Sequence, residues 1–120
     1  MNTEQLTWLA ICIYFEAMKG TVEEQIAIGH VVLNRVVNEN KPIKYIVQNQ
    51  ILSSDVQIPI KDYDAFIRAS ESALECIKER QEGKTLYGAN YYFEEYLGMP
   101  EWTKHIIYVC KIEHRTFYKE

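Results

Sequence analysis

Two helical segments meet at Gly20-Thr21 with no linker between them, and this junction constrains the fold more than any other feature of the chain. The first segment is predicted to begin with Thr3 as its N-cap and to end at Lys19, with Gly20 in the left-handed position that often follows a helix. Thr21 starts the second helix, because Thr21 and Glu24 have the spacing of a capping box. The two helices must therefore form a tight corner.

The rest of the chain predicts more helix and then a small sheet. The second helix should end near residues 38–40, before Pro42, and a short helix is expected within residues 43–50. A third long helix is predicted over 62–82, with Gly83 as its stop. The helical period is then lost: residues 86–93 are extended in character, and 106–112 and 116–119 are predicted to be two short strands. We predict one α+β domain over residues 1–120, with N-terminal helices and a small C-terminal antiparallel sheet.

Helical spacing also predicts which side of each long helix is buried. The predicted buried positions are Val22, Ile26, Gly29, Leu33 and Val36 in the second helix, and Tyr63, Phe66, Ile67, Ser70, Ala73, Leu74 and Ile77 in the third.

Composition excludes several classes of function. The net charge of −4 comes without a basic run, which argues against nucleic acid as the main ligand. The apolar N-terminal stretch is too short to span a membrane and has no cleavage site of a signal peptide, so we expect neither stable membrane insertion nor a secretion signal. The three cysteines, Cys12, Cys76 and Cys110, are expected to be free thiols.

Motifs for metal or nucleotide chemistry are missing from the sequence. His30, His105 and His114 lie far apart, and no metal-binding spacing of histidines or cysteines occurs. There is no nucleophile motif and no glycine-rich phosphate loop. We therefore predict no metal and no cofactor.

One carboxylate, Glu16, stands out near the end of the first helix. Its neighbours on the same helix face are Leu9, Cys12 and Ile13, which cannot neutralise a negative charge. Such surroundings favour the protonated form of a carboxyl group, and a proton donor near neutral pH is what cleavage of a glycosidic bond requires. Glu16 is therefore a candidate general acid. The alternative is a structural carboxylate paired with Lys19 or Arg35.

Two stretches of the sequence resemble the SleB/CwlJ-type cell-wall hydrolases, which include spore-cortex-lytic and phage-encoded enzymes. Residues 14–17, Tyr-Phe-Glu-Ala, and residues 25–36, Gln-Ile-Ala-Ile-Gly-His-Val-Val-Leu-Asn-Arg-Val, match the family motif Y-x-E-A-R-G-E followed by G-Q-x-A-x-A-x-V-x-L-N-R-V. Residues 88–93, 100–102 and 114–118 also resemble C-terminal segments of the family, in the same order. The resemblance covers nearly the whole chain and implies a fold like that of lysozymes and lytic transglycosylases.

The resemblance implies roles for individual residues. Glu16 falls on the catalytic acid of the family, and Asn34 and Arg35 fall on an Asn-Arg pair that we expect to support the active-site corner. The matched positions expected to contact substrate are Ser53, Tyr91, Tyr92, Trp102 and His114.

The chain also departs from the family motif. Met18-Lys19-Gly20 replaces Arg-Gly-Glu, so the second carboxylate of the motif is missing, and Glu24 stands where the family has Gly. The family's final H-x-F-Y is H-x-x-F-Y here, so that either His114 or Arg115 takes the place of the histidine. These departures affect activity and fine specificity more than the fold.

The implied activity is cleavage of peptidoglycan glycan strands by a lytic transglycosylase, or by a muramidase on the same scaffold. Because no second carboxylate is evident, a route with Glu16 as the single acid and base is expected. An N-acetylmuramoyl-L-alanine amidase and a non-catalytic wall-binding or virion module are the alternatives. We expect a monomer made in the cytoplasm, either a phage endolysin released with a holin or a virion component.

Overall fold

A computed structural model describes residues 1–52 and 60–120, which form helices followed by a small sheet, so the predicted α+β architecture is confirmed. The α-helices are α1 (Thr3–Ala17), α2 (Val22–Glu39), α3 (Ile43–Ile46), which continues as a π-helical segment over Val47–Ile51, and α4 (Tyr63–Gln81). The strands are β1 (Tyr91–Glu94), β2 (Ile107–Ile112) and β3 (Arg115–Lys119), and 3₁₀ turns cover Leu86–Gly88, Glu95–Leu97 and Glu101–Lys104.

The sheet is antiparallel, with β3 in the centre and β1 and β2 at its sides. Tyr92 pairs with Phe117, and Glu94 lies directly opposite Arg115. Phe117 is fully buried and packs with Ala27 and Val31 of α2. The sheet therefore packs against α2 through β3. Because β1 pairs with β3, this contact also determines where β1 lies.

The corner between α1 and α2 differs in part from the prediction. The N-cap of α1 is Asn2 rather than Thr3, because Asn2 forms a capping box with Gln5, and α1 ends at Ala17. Gly20 does not adopt the left-handed conformation found at Gly83, Gly88 and Gly98. A Cβ atom at Gly20 would lie 3.3 Å from Nη1 of Arg115 and equally close to Cβ and the carbonyl oxygen of Ala17, so the glycine allows close packing at this corner.

The Thr21–Glu24 capping box is confirmed, but the predicted buried face of α2 is too narrow. Ile28, Val31 and Val32 are fully buried, whereas Val22 is 60% exposed. The reason is that α2 is the central helix: one side packs in the cluster with α1 and α4, and the other packs against the sheet. A helix covered on both sides shows no single apolar stripe.

The buried side of α4 is also shifted from the prediction. Tyr63, Ile67 and Leu74 are exposed, and small residues face α1 and α2 instead. A Cβ atom at Gly29 of α2 would lie only 2.8 Å from Sγ of Cys76, which shows how closely these helices approach. The buried residues of α4 are Ala65, Ala69, Ser72, Ala73 and Cys76.

Cys12, Cys76 and Cys110 are free thiols, as the odd number and spacing predicted. Burial raises the pKa of the Cys76 thiol to about 12. Within residues 1–52 and 60–120, no helix has both the length and the apolar character that a bilayer crossing needs.

Candidate active site

Glu16 occupies the last turn of α1, above the fully buried side chains of Leu9, Cys12 and Ile13. Its own side chain is half-buried and opens into a cleft. Burial is the main cause that raises the pKa of the Glu16 carboxyl group above its ordinary value. The apolar helix face around Glu16 predicted a shift of the pKa in this direction.

Polar and charged groups from other elements also shift the pKa of the Glu16 carboxyl group. The hydroxyl of Tyr92 on β1 donates a hydrogen bond to Oε1 of Glu16, and this bond lowers the pKa of Glu16. The positive charges of Arg115 and Arg35 lower the pKa as well, and the negative charge of Glu94 raises it. In the described part of the chain, no ion pair joins Glu16 to Lys19 or Arg35, so the structural alternative has no support from a salt bridge.

The cleft on one side of Glu16 has a volume of about 370 Å³. Tyr92 and Glu94 lie beside the carboxyl group, and Leu97 and Trp102 form an apolar wall. A second depression of about 300 Å³ lies on the other side of Glu16 and includes Tyr96 and His114. Glu16 is therefore accessible from two open depressions.

Trp102 is the centre of an aromatic group at this cleft. Its ring lies 5.4 Å from those of Tyr91 and Tyr118 and 5.9 Å from that of Phe93. The guanidinium of Arg35 lies 4.8 Å from the centre of the Tyr91 ring. Rings held in this way offer a firm apolar surface against which a sugar ring can pack.

Asn34 and Arg35 hold the segment that leads into β1. Nδ2 of Asn34 donates hydrogen bonds to the carbonyl oxygens of Thr85 at 2.9 Å and Ala89 at 2.7 Å. Nε of Arg35 donates to the carbonyl oxygen of Asn90 at 2.6 Å. Support of the active-site corner by this pair stays a prediction; its hydrogen bonds fix residues 85–90, which lead into β1.

The structure brings together most of the residues that the resemblance assigned to the substrate site. Tyr92 and Trp102 line the cleft with Glu16, and His114 is exposed at the second depression. Tyr91 lies beside Trp102 and lines a neighbouring polar pocket that shares Arg35 and Gln50 with the cleft. Ser53 lies outside the described residues.

The structure adds Glu24, Glu94 and Arg115, which the sequence did not place at the site. Glu94 is on β1 and lines both depressions beside Glu16. Arg115 is buried, and its guanidinium contacts both Glu24 and Glu94. The only sequence signal was the altered H-x-x-F-Y motif, which left Arg115 as an alternative to His114.

Tyr92→Phe tests the hydrogen bond to Glu16. Loss of the hydroxyl removes a donor that favours the carboxylate, so the pKa of Glu16 should rise further. If Glu16 acts as a proton donor, activity is lost as pH rises through its pKa, and the alkaline limb of the pH–rate profile should move to higher pH. The matched control is Tyr91→Phe, whose hydroxyl donates to Glu120 instead. An unmoved limb in Tyr92→Phe would contradict the prediction.

Within residues 1–52 and 60–120, no three His, Cys, Asp or Glu side chains converge in a way that would hold a metal ion.

The packed helices and the small C-terminal sheet form the fold of a SleB catalytic domain. The chain is similar to the catalytic domain of the Bacillus cereus SleB protein, with a TM-score of 0.77 and 22% identity over 98% of this chain and 91% of that chain. It is also similar to the catalytic domain of the germination-specific lytic transglycosylase SleB from Bacillus anthracis, with a TM-score of 0.69 and 21% identity over 99% of this chain and 97% of that chain. Neither a family model nor a curated protein sequence matches the chain. At these identities the likeness establishes the fold.

Proposed function

We propose that this protein cleaves the glycan strands of peptidoglycan as a lytic transglycosylase, with Glu16 as the acid and base. The observation that carries the proposal is a half-buried carboxyl group of raised pKa at an open cleft with an aromatic wall. The fold supports it, because the similar Bacillus anthracis domain is described as a lytic transglycosylase.

The reaction needs one group that first gives a proton and then takes one. Protonated Glu16 donates its proton to the glycosidic oxygen between N-acetylmuramic acid and N-acetylglucosamine as the bond from muramic C1 to that oxygen breaks. The carboxylate then accepts the proton of the muramic 6-hydroxyl while O6 bonds to C1, which closes a 1,6-anhydro ring and restores the acid. No water is consumed.

The surroundings of Glu16 suit both halves of this cycle. Burial favours the protonated group that the first step requires, and the hydrogen bond from Tyr92 favours the carboxylate of the second step. Because burial and the hydrogen bond act in opposite directions, they favour a pKa of Glu16 near the working pH. A group with such a pKa can both donate and accept a proton.

A muramidase on the same scaffold is the second candidate, and Glu94 is the observation in its favour. Hydrolysis by two carboxyl groups needs a partner for the acid, and the Glu94 carboxylate faces the cleft beside Glu16. Glu94 forms an ion pair with Arg115 at 2.9 Å. In this mechanism Glu94 would activate a water or attack the sugar, and the product would carry a reducing muramic end.

Mass spectrometry of fragments released from purified peptidoglycan separates the candidates. We expect fragments that end in 1,6-anhydro-muramic acid. Reducing muramic ends that disappear in Glu94→Gln would instead identify a muramidase. Free stem peptides would identify an amidase, and binding to the wall without release of fragments would identify a non-catalytic module. A monomeric phage endolysin or virion lysin remains the predicted setting of the activity.

A further inference from the structure

Arg115 connects three elements of the site through one buried guanidinium group. It lies at the start of the central strand β3 and is 7% exposed. Nη1 forms an ion pair with Glu24 of α2, and Nη2 donates to the carbonyl oxygen of Glu16 at 2.7 Å and to Oε1 of Glu94 at 2.9 Å. A buried charge is costly unless its partners are in place, so these contacts require a defined geometry.

Two departures from the motif of the resembled family lie beside this guanidinium. Gly20 stands where the motif has Glu, and a Cβ atom there would lie 3.3 Å from Nη1 of Arg115. Glu24, which replaces a glycine of the motif, supplies the carboxylate that Nη1 binds. The arginine thus lies against Gly20 and binds the carboxylate four residues later in the chain.

We propose that Arg115 is the positioning residue of the Glu16 site, where it joins the end of α1 to β1 through the Glu16 carbonyl oxygen and the Glu94 carboxylate. This inference rests on the proposed function, because it assigns a task in the reaction of Glu16. Tyr92 and Glu94 lie on the same four-residue strand. The contact that holds β1 to the end of α1 therefore also holds the Tyr92 hydroxyl at the Glu16 carboxyl group.

Arg115 and Glu94 act on the proton affinity of Glu16 in opposite directions. The positive charge of Arg115 favours the carboxylate, and the negative charge of Glu94 disfavours it. The groups that face Glu16 are Cys12 from α1, Arg35 from α2, Tyr92 and Glu94 from β1, and Arg115 from β3. Replacing Arg115 and replacing Glu94 should therefore shift the pKa of Glu16 in opposite directions, whereas general loosening of the fold would not.

Carbon NMR titration of the glutamate side-chain carboxyl groups tests this directly, with Glu16→Gln used to assign the resonance. Arg115→Gln is combined with Glu24→Gln, so that no unpaired carboxylate is left buried at Glu24. We expect the midpoint of the Glu16 titration to rise in this double variant and to fall in Glu94→Gln. Midpoints that stay in place, or that move in the same direction in both proteins, would overturn the proposal.

Kinetics give a second readout, which separates positioning from binding. Loss of alignment at Glu16 should lower kcat of the double variant by about 10- to 100-fold with little change in KM. Arg115→Lys keeps the charge and should retain the Glu16 midpoint better than the double variant does. If wild-type protein releases no glycan fragments, the proposed function fails, and the opposite shifts in the NMR titration still decide the role of Arg115.

Discussion

Glu16→Gln should lower the rate of glycan cleavage by at least ~100-fold, because a positioned general acid contributes about 10²- to 10⁴-fold and glutamine has no proton to give. The amide is close in size to the carboxyl group, and its oxygen can still accept the hydrogen bond from Tyr92. The half-buried site favours neutral groups, so the substitution should leave the fold intact. Release of soluble fragments from peptidoglycan measures the rate, and circular dichroism confirms the fold.

Glu4→Gln is the matched control for this variant. Glu4 lies in the first turn of the same helix and is exposed, far from the cleft at the other end of α1. The Glu4→Gln substitution removes one carboxylate without changing the site, so this variant should cleave glycan at the wild-type rate. Folded Glu16→Gln protein with wild-type activity would show that another residue supplies the proton.

The elements of the fold could be predicted where the signal is local. The Thr21–Glu24 capping box and the stop at Gly83 depend on backbone groups within a few residues, and both occur as expected. Gly20 was placed wrongly because its local pattern fits a helix stop equally well. A Cβ atom at Gly20 would crowd Ala17 and also the guanidinium of Arg115, and the second of these contacts, 95 positions further along the chain, leaves no local pattern.

The same limit applies to the faces of the helices. Apolar spacing marks Ile67 and Leu74 of α4 as core, but the close approach of α2 at Gly29 selects alanines and Cys76 for the contact. The spacing of apolar residues in a helix shows which positions are apolar. It does not show how closely a neighbouring helix packs against them. In α2 the buried residues lie on both sides and include polar ones such as Gln25 and Asn34, so apolar spacing alone does not mark its full buried surface.

The same difference between local and long-range signals explains which residues of the candidate site could be predicted. Glu16 could be found because its own helix supplies the apolar surroundings. Glu94 could not, because its place beside Glu16 depends on the pairing of β1 with β3 and on the docking of that pair at the end of α1. A polar residue in a short strand looks the same in the sequence whether it faces solvent or a cleft.

Arg115→Met is expected to lower the free energy of unfolding by about 3–5 kcal/mol, because it leaves the buried carboxylate of Glu24 without its partner. The side chains of Arg115 and Glu24 are 8% and 4% exposed, so little water is available to replace the lost contact. Glu24→Leu should also be destabilising, because the guanidinium of Arg115 loses its ion pair with Glu24 and the capping box with Thr21 is lost as well. Urea unfolding followed by circular dichroism measures both losses.

The double variant Glu24→Leu/Arg115→Met tests whether the two single variants lose stability because each leaves a buried charge without its partner. If the cost of each single variant is an unpaired buried charge, the double variant should be clearly more stable than the sum of the two losses predicts. Thr21→Ala is the control for the capping box that Glu24 also forms, and it should cost about 1 kcal/mol. Additive losses would mean that Arg115 and Glu24 stabilise the corner independently. In that case the guanidinium could not be regarded as the link between α1, α2 and β1.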